Sequence, residues 1–143
     1  MIDIGDQLPD TELQLRRYLG EGPLLILFYT EANTPLCTQQ LCAFRDDYEM
    51  VRELKADAVA ISSDSSDDHQ QFSAEHYFPF LLLSDPDLDA ASAFGVADMA
   101  TKRAQRAAFV ANPDGTIALA IPLYQPNNLD HYQQVFEALG LDI

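Results

Sequence analysis

The chain has 143 residues, of which 48% are hydrophobic, and this predicts a single domain, residues 1–143, with a sizeable core. Its 23 acidic residues outnumber its 8 basic residues, so the net charge is −15. Nucleic acids and anionic membranes bind basic surfaces, so this charge argues against both as partners, and no run approaches the ~20 apolar residues of a membrane span.

Strand and helix signals alternate through the first half of the chain. Residues 24–29 form a short apolar run that predicts a buried strand. Residues 34–54 predict a helix, because Thr34 is a suitable N-cap, Pro35 suits the first helical position, and apolar residues recur at spacings of three and four. Residues 56–62 then predict a second strand in the core.

The second half continues this alternation and adds a hairpin. The predicted elements are a helix from a serine-rich cap through about residue 77, a short strand at 81–83, a helix over 88–94, hairpin strands at 106–111 and 116–121, and a helix over 128–139. Strands that alternate with helices and end in a hairpin predict an α/β fold, with a central mixed sheet and helices on both faces.

Cys37 lies in the first turn of the helix predicted at residues 34–54. Helix N-termini carry unpaired N–H groups and a partial positive charge, and both stabilise a thiolate over a thiol. A cysteine at such a position tends to have a lowered pKa and is a candidate nucleophile. The alternative interpretation is a small apolar residue of the core, and position alone does not decide between the two.

A second cysteine, Cys42, follows five residues later in the same predicted helix. On an intact helix the two Cα atoms would lie roughly 8–9 Å apart, beyond the ~7 Å limit for a disulfide. Either the two cysteines never bond, or the first helical turns unwind when they do. Cys42 is alternatively a core residue, as its neighbours Leu41 and Phe44 suggest.

The start of the sequence and the cysteine usage predict a reducing, cytoplasmic compartment. The first residues contain no basic segment followed by an apolar one, so no secretory signal is expected. In a reducing compartment a close cysteine pair is more often catalytic or metal-binding than structural. A metal would need further ligands, whereas His69, His76 and His131 are scattered and are expected at solvated helix positions. We predict neither a metal nor a cofactor.

The segment around Cys37 resembles the active-site segment of peroxiredoxins, whose pattern is Pro-x-x-x-Thr-x-x-Cys. Residues 29–38 read Tyr-Thr-Glu-Ala-Asn-Thr-Pro-Leu-Cys-Thr, and the second cysteine follows after four intervening residues. This spacing is similar to that of the subgroup called bacterioferritin comigratory protein or peroxiredoxin Q, of the AhpC/TSA type. Further similar segments continue in order along nearly the whole chain, at residues 44–46, 61–62, 79–80, 83–87, 106–110 and 114–117.

The resemblance implies a thioredoxin-like fold and a thiol peroxidase acting on hydrogen peroxide and organic hydroperoxides. Cys37 matches the peroxidatic cysteine, which attacks the O–O bond as a thiolate and becomes a sulfenic acid. Thr34 matches the threonine whose hydroxyl contacts thiolate and peroxide, and Arg106 matches the arginine that stabilises thiolate and developing oxyanion. Cys42 matches the resolving cysteine, which gives a Cys37–Cys42 intramolecular disulfide that thioredoxin or a similar thiol reductant reduces. A monomer or weak dimer is expected.

Two residues depart from the pattern that this family shows. Thr30 stands where the pattern has proline, a residue that helps to enclose the cysteine. Gln40 stands where the subgroup usually has glutamate, and its neutral amide would remove a competing anion near Arg106.

Other functions stay open for this sequence. The departures at Thr30 and Gln40 are compatible with a thioredoxin-fold redox-sensing or binding module that has weak peroxidase turnover. A thiol–disulfide exchanger acting on proteins is disfavoured, because the sequence has no Cys-x-x-Cys. For Arg106, the alternative to an active-site role is an ordinary surface charge beside Lys102 and Arg103.

Overall fold

The computed structural model describes residues 2–141, along which strands and helices alternate. The strands are β1 (Leu24–Phe28), β2 (Asp57–Ser62), β3 (Leu81–Ser84), β4 (Ala97–Asp98), β5 (Arg103–Ala104), β6 (Ala107–Ala111) and β7 (Ile117–Ile121). The helices are α1 (Pro35–Asp46), α2 (Tyr48–Glu53), α3 (Ser66–His76), α4 (Asp89–Ala93) and α5 (Leu129–Ala138), with a short 3-10 helix at Leu15–Tyr18.

Five of the strands form one mixed sheet in the order β3-β2-β1-β6-β7. The central strand, β1, is parallel to β2 and antiparallel to β6, so that Phe28 lies opposite both Ile61 and Ala107. Every residue of β1 is buried, as expected for a strand with both faces covered. The predicted α/β fold with a mixed sheet is therefore confirmed.

Alternate residues of β1 contribute to two separate cores, one on each face of the sheet. Leu25 and Leu27 pack in a core that includes residues of α1, α3 and α5. Leu24, Ile26 and Phe28 pack in the other core, which includes residues of α4 and of the N-terminal segment. Helix α1 thus lies against one face, and the loop that leads to it starts at the carboxyl end of the central strand.

The long helix predicted at residues 34–54 is interrupted, so that prediction is wrong in its length. The interruption is at Asp47, whose φ of −106° and ψ of 16° end α1 before α2 begins. The hydroxyl of Tyr132, on α5, donates a hydrogen bond to the Asp47 carboxylate and holds this corner against the core. The short hairpin formed by β4 and β5 was likewise not predicted.

The prediction of solvated histidines is wrong for His69, which is buried with only 3% of its surface exposed. Its Nε2 atom forms a hydrogen bond of 2.8 Å with the hydroxyl of Ser62 at the end of β2. His76 and His131 are half-buried. Between residues 2 and 141, no helix has the length and apolar character needed to cross a membrane.

Candidate active site

Cys37 lies at the start of α1, where the chain has just left the central strand. Strand β1 ends at Phe28, and a loop of residues 29–34 leads to Pro35 at the first position of the helix. Cys37 follows in the first turn with none of its surface exposed. The predicted position of this cysteine at a helix N-terminus is therefore confirmed, and the thiol faces the protein interior.

The sulfur of Cys37 contacts two groups of Thr30, at the start of this loop. The backbone N–H of Thr30 donates a hydrogen bond to Sγ at 3.4 Å, and its hydroxyl oxygen lies 3.0 Å from the same sulfur. Thr30 is one of the two residues that depart from the family pattern. It therefore meets the candidate nucleophile directly, a contact that the sequence did not predict.

Thr34 occupies the N-cap position of α1, with extended backbone angles of −82° and 145°. Its hydroxyl makes no cap hydrogen bond to the helix and instead donates to the backbone carbonyl of Glu31 at 2.8 Å. The prediction of Thr34 as the residue before the helix is confirmed, but its side chain does not cap the helix. Its hydroxyl is turned toward the loop beside Cys37.

The surroundings of Cys37 act in opposite directions on the pKa of its thiol. Burial, the largest single influence, raises the pKa. The hydroxyl of Thr30, the nearby hydroxyl of Thr34 and the backbone N–H groups of Glu31 and Thr30 lower it, because hydrogen-bond donors close to the sulfur favour the thiolate. Together the hydrogen bonds outweigh burial, and the pKa of Cys37 lies below its ordinary value.

Arg106 and Thr30 line the same cavity, which has a volume of about 450 Å³. The Nε atom of Arg106 is buried and has no hydrogen-bond partner within residues 2–141. Over the same residues no hydrogen bond joins Arg106 to Cys37. Thr30 connects the two predicted site residues, because it lines the cavity with Arg106 and contacts the sulfur of Cys37. The exposed side chain of Leu123 adds an apolar part to the cavity wall.

Asp64 and Arg103 hold the loop around the site, and neither was predicted as a site residue. The buried carboxylate of Asp64 accepts a hydrogen bond from the backbone N–H of Ala32 at 2.7 Å. Arg103 forms ion pairs with Asp64 at 2.6 Å and with Glu31 at 3.4 Å. No spacing in the sequence indicates these contacts, because they join β5 to two loops that are far apart along the chain.

Cys42 has different surroundings, although it lies on the same helix. It is half-buried, and its sulfur lies 3.8 Å from Nδ1 of His76 at the end of α3. Burial raises the pKa of its thiol, nearby Arg45 lowers it and Asp46 raises it, with a net increase. Both cysteines are free thiols. Since α1 is continuous from Pro35 to Asp46, their bonding would require this helix to change.

Gln40, the second departure from the family pattern, is buried on α1 with 1% of its surface exposed. Its Nε2 atom donates to the carbonyl of Phe28 at 3.3 Å, and so ties the helix to the end of β1. Its Oε1 atom has no hydrogen-bond partner within the described part of the chain. Gln40 thus fixes the helix start, and it brings no charge to the site.

Comparison with known sequences identifies relatives of this chain. A sequence model of the AhpC/TSA family matches residues 4–120. Chloroplastic peroxiredoxin Q of Sedum lineare is 36% identical over 108 residues, which cover 75% of this chain and 58% of the relative. Peroxiredoxin Bcp of Bacillus subtilis (strain 168) is 39% identical over 103 residues, which cover 66% and 65%. The chain thus spans less than two thirds of the length of these two relatives.

Solved structures agree with this relationship. The peroxidoxin BcpB of Mycobacterium tuberculosis superimposes with a TM-score of 0.85 at 27% identity, over 97% of both chains. A cysteine variant of peroxiredoxin Q from Xanthomonas campestris gives a TM-score of 0.75 at 30% identity, over 88% of this chain and 82% of that one. The predicted thioredoxin-like fold is confirmed, and the chain belongs to the AhpC/TSA family of peroxiredoxins.

Proposed function

We propose that this chain is a thiol peroxidase that reduces hydrogen peroxide and organic hydroperoxides through Cys37. The observation that carries the proposal is the environment of the Cys37 sulfur, which is buried at the start of α1 against the hydroxyl and N–H of Thr30. Hydrogen-bond donors around a sulfur favour the thiolate, which is the form that attacks a peroxide. In this proposal residues 1–143 act as one domain.

In the first step the Cys37 thiolate attacks one oxygen of the peroxide. An S–O bond forms as the O–O bond breaks, and Cys37 becomes a sulfenic acid. The departing oxygen takes a proton from solvent and leaves as water or as an alcohol. The peroxide enters through the cavity of about 450 Å³ next to Thr30, where the side chain of Leu123 can contact the organic part of a hydroperoxide.

Arg106 stabilises the negative charge that develops on the departing oxygen. Its guanidinium cannot lose a proton at neutral pH, so it acts by charge and hydrogen bonds and not as an acid. The buried Nε atom on the cavity wall has no partner within residues 2–141 and is available to such an oxygen. Thr34 contributes its hydroxyl, which can turn from the carbonyl of Glu31 toward thiolate or peroxide.

In the second step the thiol of Cys42 attacks the sulfur of the sulfenic acid. The S–S bond forms as the S–O bond breaks, and the hydroxyl leaves as water with the proton of the Cys42 thiol. Helix α1 must unwind at its start for this step, because both cysteines lie on it. Thioredoxin or a similar dithiol then reduces the disulfide and completes the cycle in a reducing compartment such as the cytoplasm.

The test is a single turnover with hydrogen peroxide, followed by mass spectrometry of the intact protein. Reduced protein treated with one equivalent of hydrogen peroxide should consume it and lose the mass of two hydrogen atoms as the disulfide forms. Cys42→Ser should instead gain the mass of one oxygen as Cys37 becomes a sulfenic acid. Cys37→Ser is the matched control, and peroxide consumption at the wild-type rate in that variant would overturn the assignment of Cys37.

A redox-sensing or binding module with weak turnover is the second candidate. It is favoured by the two departures from the family pattern, Thr30, which contacts Cys37, and Gln40, which joins α1 to the end of β1. Such a module would react once with peroxide but would turn over slowly with thioredoxin as reductant. A steady-state assay distinguishes the two functions, since a peroxidase should sustain many cycles under the same conditions.

A further inference from the structure

Thr30 offers the Cys37 sulfur two contacts that proline, the residue of the family pattern, cannot make. Proline has no backbone N–H and no hydroxyl. In this chain the N–H of Thr30 lies 3.4 Å from Sγ, and the hydroxyl oxygen lies 3.0 Å from it. A backbone N–H can only donate, so the sulfur accepts from Thr30 at least once. When the thiol loses its proton, the hydroxyl can also only donate to it.

Resting on the proposed function of Cys37, we propose that Thr30 is a further catalytic residue, whose hydroxyl and backbone N–H hold the sulfur in its thiolate form. The position of Thr30 suits this role, because it lies two residues after the buried end of the central strand. The N–H of Tyr29 donates to the carbonyl of Ile61 at 3.0 Å, which fixes the preceding peptide to β2. Thr30 itself is half-buried, and the sulfur that accepts its hydrogen bonds is completely buried, so water competes little as a donor to that sulfur.

Two effects of Thr30 on the reaction oppose each other. Hydrogen bonds to the sulfur increase the fraction of thiolate at a given pH, and this speeds attack below the pKa of Cys37. The same bonds make each thiolate less nucleophilic. The rate constant of a thiolate falls roughly threefold for each unit by which the pKa of its thiol is lowered, since the Brønsted coefficient is about 0.4–0.5. Thr30 therefore favours reaction at low pH and slows it at high pH, a signature that a residue of purely structural importance would not have.

The experiment compares Thr30→Val with Thr30→Ser in a Cys42→Ser background, where Cys37 is the one remaining thiol. The thiolate is followed by its ultraviolet absorbance during a pH titration. Losing a hydrogen bond to a charged group should lower the thiolate fraction of Thr30→Val at a fixed low pH by about tenfold. Thr30→Ser keeps the hydroxyl and should titrate close to the parent protein.

Rates with hydrogen peroxide, measured across pH, complete the test. Below the pKa of both proteins Thr30→Val should react about threefold more slowly than its parent, and above both it should react about threefold faster. Thr38→Val is the matched control, because Thr38 lies next to Cys37 on α1 and its hydroxyl makes no hydrogen bond to the sulfur within residues 2–141. It should change neither the titration nor the rates.

The outcomes separate this proposal from the proposed function. An unchanged titration in Thr30→Val would overturn the role of Thr30, whatever the rates show. A rate lowered equally at every pH, with an unchanged titration, would also overturn it. If Cys37 does not react with peroxide in any variant, the peroxidase function fails, while the titration still decides whether Thr30 holds the thiolate. Thr30→Ala with Thr30→Ser gives the same comparison should the valine variant not fold.

Discussion

Helix α1 carries both cysteines, Cys37 in its first turn and Cys42 five residues later, and the two sulfurs have opposite environments. Cys37 is completely buried, yet the hydroxyls and N–H groups around it bring its pKa below the ordinary value. Cys42 is half-buried beside His76, and its pKa is raised, mainly by burial. Burial alone therefore does not decide how reactive a thiol is, because the donors that replace water decide which protonation state is favoured.

This difference matches the two steps that we propose for the thiols. The thiol that meets peroxide first needs to be a thiolate at neutral pH, whereas the thiol that closes the disulfide needs to stay reduced until then. The cavity lined by Arg106 adjoins the Thr30 contact of Cys37, and Cys42 lies away from it, toward α3. Substitution or oxidation can remove these differences one at a time.

The largest effect is expected for Arg106, which should act on the reaction of Cys37 alone. Arg106→Ala should slow attack on hydrogen peroxide by about 10²–10³, the scale for losing one donor to a developing oxyanion. Arg106→Lys should rescue only in part, because an ammonium lacks the planar fork of a guanidinium. Stopped-flow measurement of peroxide consumption checks both values.

Arg103→Ala is the matched control for Arg106. Arg103 also lines the cavity, but it is ion-paired with Asp64 and Glu31. Alkylation of Cys42, which lies away from the cavity, should be unchanged in Arg106→Ala. A wild-type rate of peroxide attack in Arg106→Ala, together with a large loss in Arg103→Ala, would transfer the role to Arg103.

The pH dependence of alkylation should separate the two thiols. Because the pKa of Cys37 is lowered, its thiolate persists to lower pH, and its reaction falls only as pH drops through that lowered value. The raised pKa of Cys42 means that its reaction already falls at a higher pH. At a pH below both midpoints the thiolate fraction of Cys37 should exceed that of Cys42 by about tenfold for each unit between the two midpoints.

Single-cysteine variants allow the alkylation of each thiol to be measured separately. Cys42→Ser reports on Cys37, and Cys37→Ser reports on Cys42, with a small haloacetamide as the reagent. The midpoints should be compared instead of the absolute rates, because complete burial of Cys37 limits access of the reagent. Equal midpoints, or a lower midpoint for Cys42, would show that the hydrogen bonds around Cys37 do not outweigh its burial.

The positions of both cysteines could be predicted from sequence, because they depend on local signals. Pro35 after Thr34 marks a helix start, and a helix start places Cys37 in its first turn. A mixed sheet could likewise be predicted from strands that alternate with helices and end in a hairpin, although the order of its strands could not. The interruption at Asp47 could not be predicted, since it is accompanied by a contact with Tyr132, far along the chain.

The contacts of each sulfur could not be predicted for the same reason. The sequence shows that threonine replaces the proline of the family pattern at Thr30, but its hydroxyl reaches Cys37 only because the loop after β1 turns back over the helix start. The contact of Cys42 with His76 joins α1 to the end of α3, and no spacing indicates it. The burial of His69 depends in the same way on Ser62, at the end of a neighbouring strand.

The smallest expected effect is on stability, and it concerns the helix that both cysteines share. On intact α1 their Cα atoms are roughly 8–9 Å apart, whereas a disulfide needs ~7 Å or less. Oxidation should therefore unwind the start of α1, release its backbone hydrogen bonds and expose part of the apolar face that includes Leu41 and Phe44. Closing so short a loop constrains the unfolded chain little, so the oxidised protein should be less stable than the reduced one.

Amide hydrogen exchange tests this unwinding residue by residue. In the disulfide form, amides of residues 34–44 should exchange at least about tenfold faster, which corresponds to a loss of about 1.4 kcal/mol in local opening free energy. Strands β1 and β6 should change less, because they are paired on both sides within the sheet. Cys42→Ser treated with peroxide is the control, since it can form the sulfenic acid but not the disulfide, and its exchange should stay slow. Full protection of residues 34–44 in a protein shown by mass to contain the Cys37–Cys42 bond would mean that α1 accommodates the disulfide without unwinding. The predicted loss of stability on oxidation would then have no structural basis.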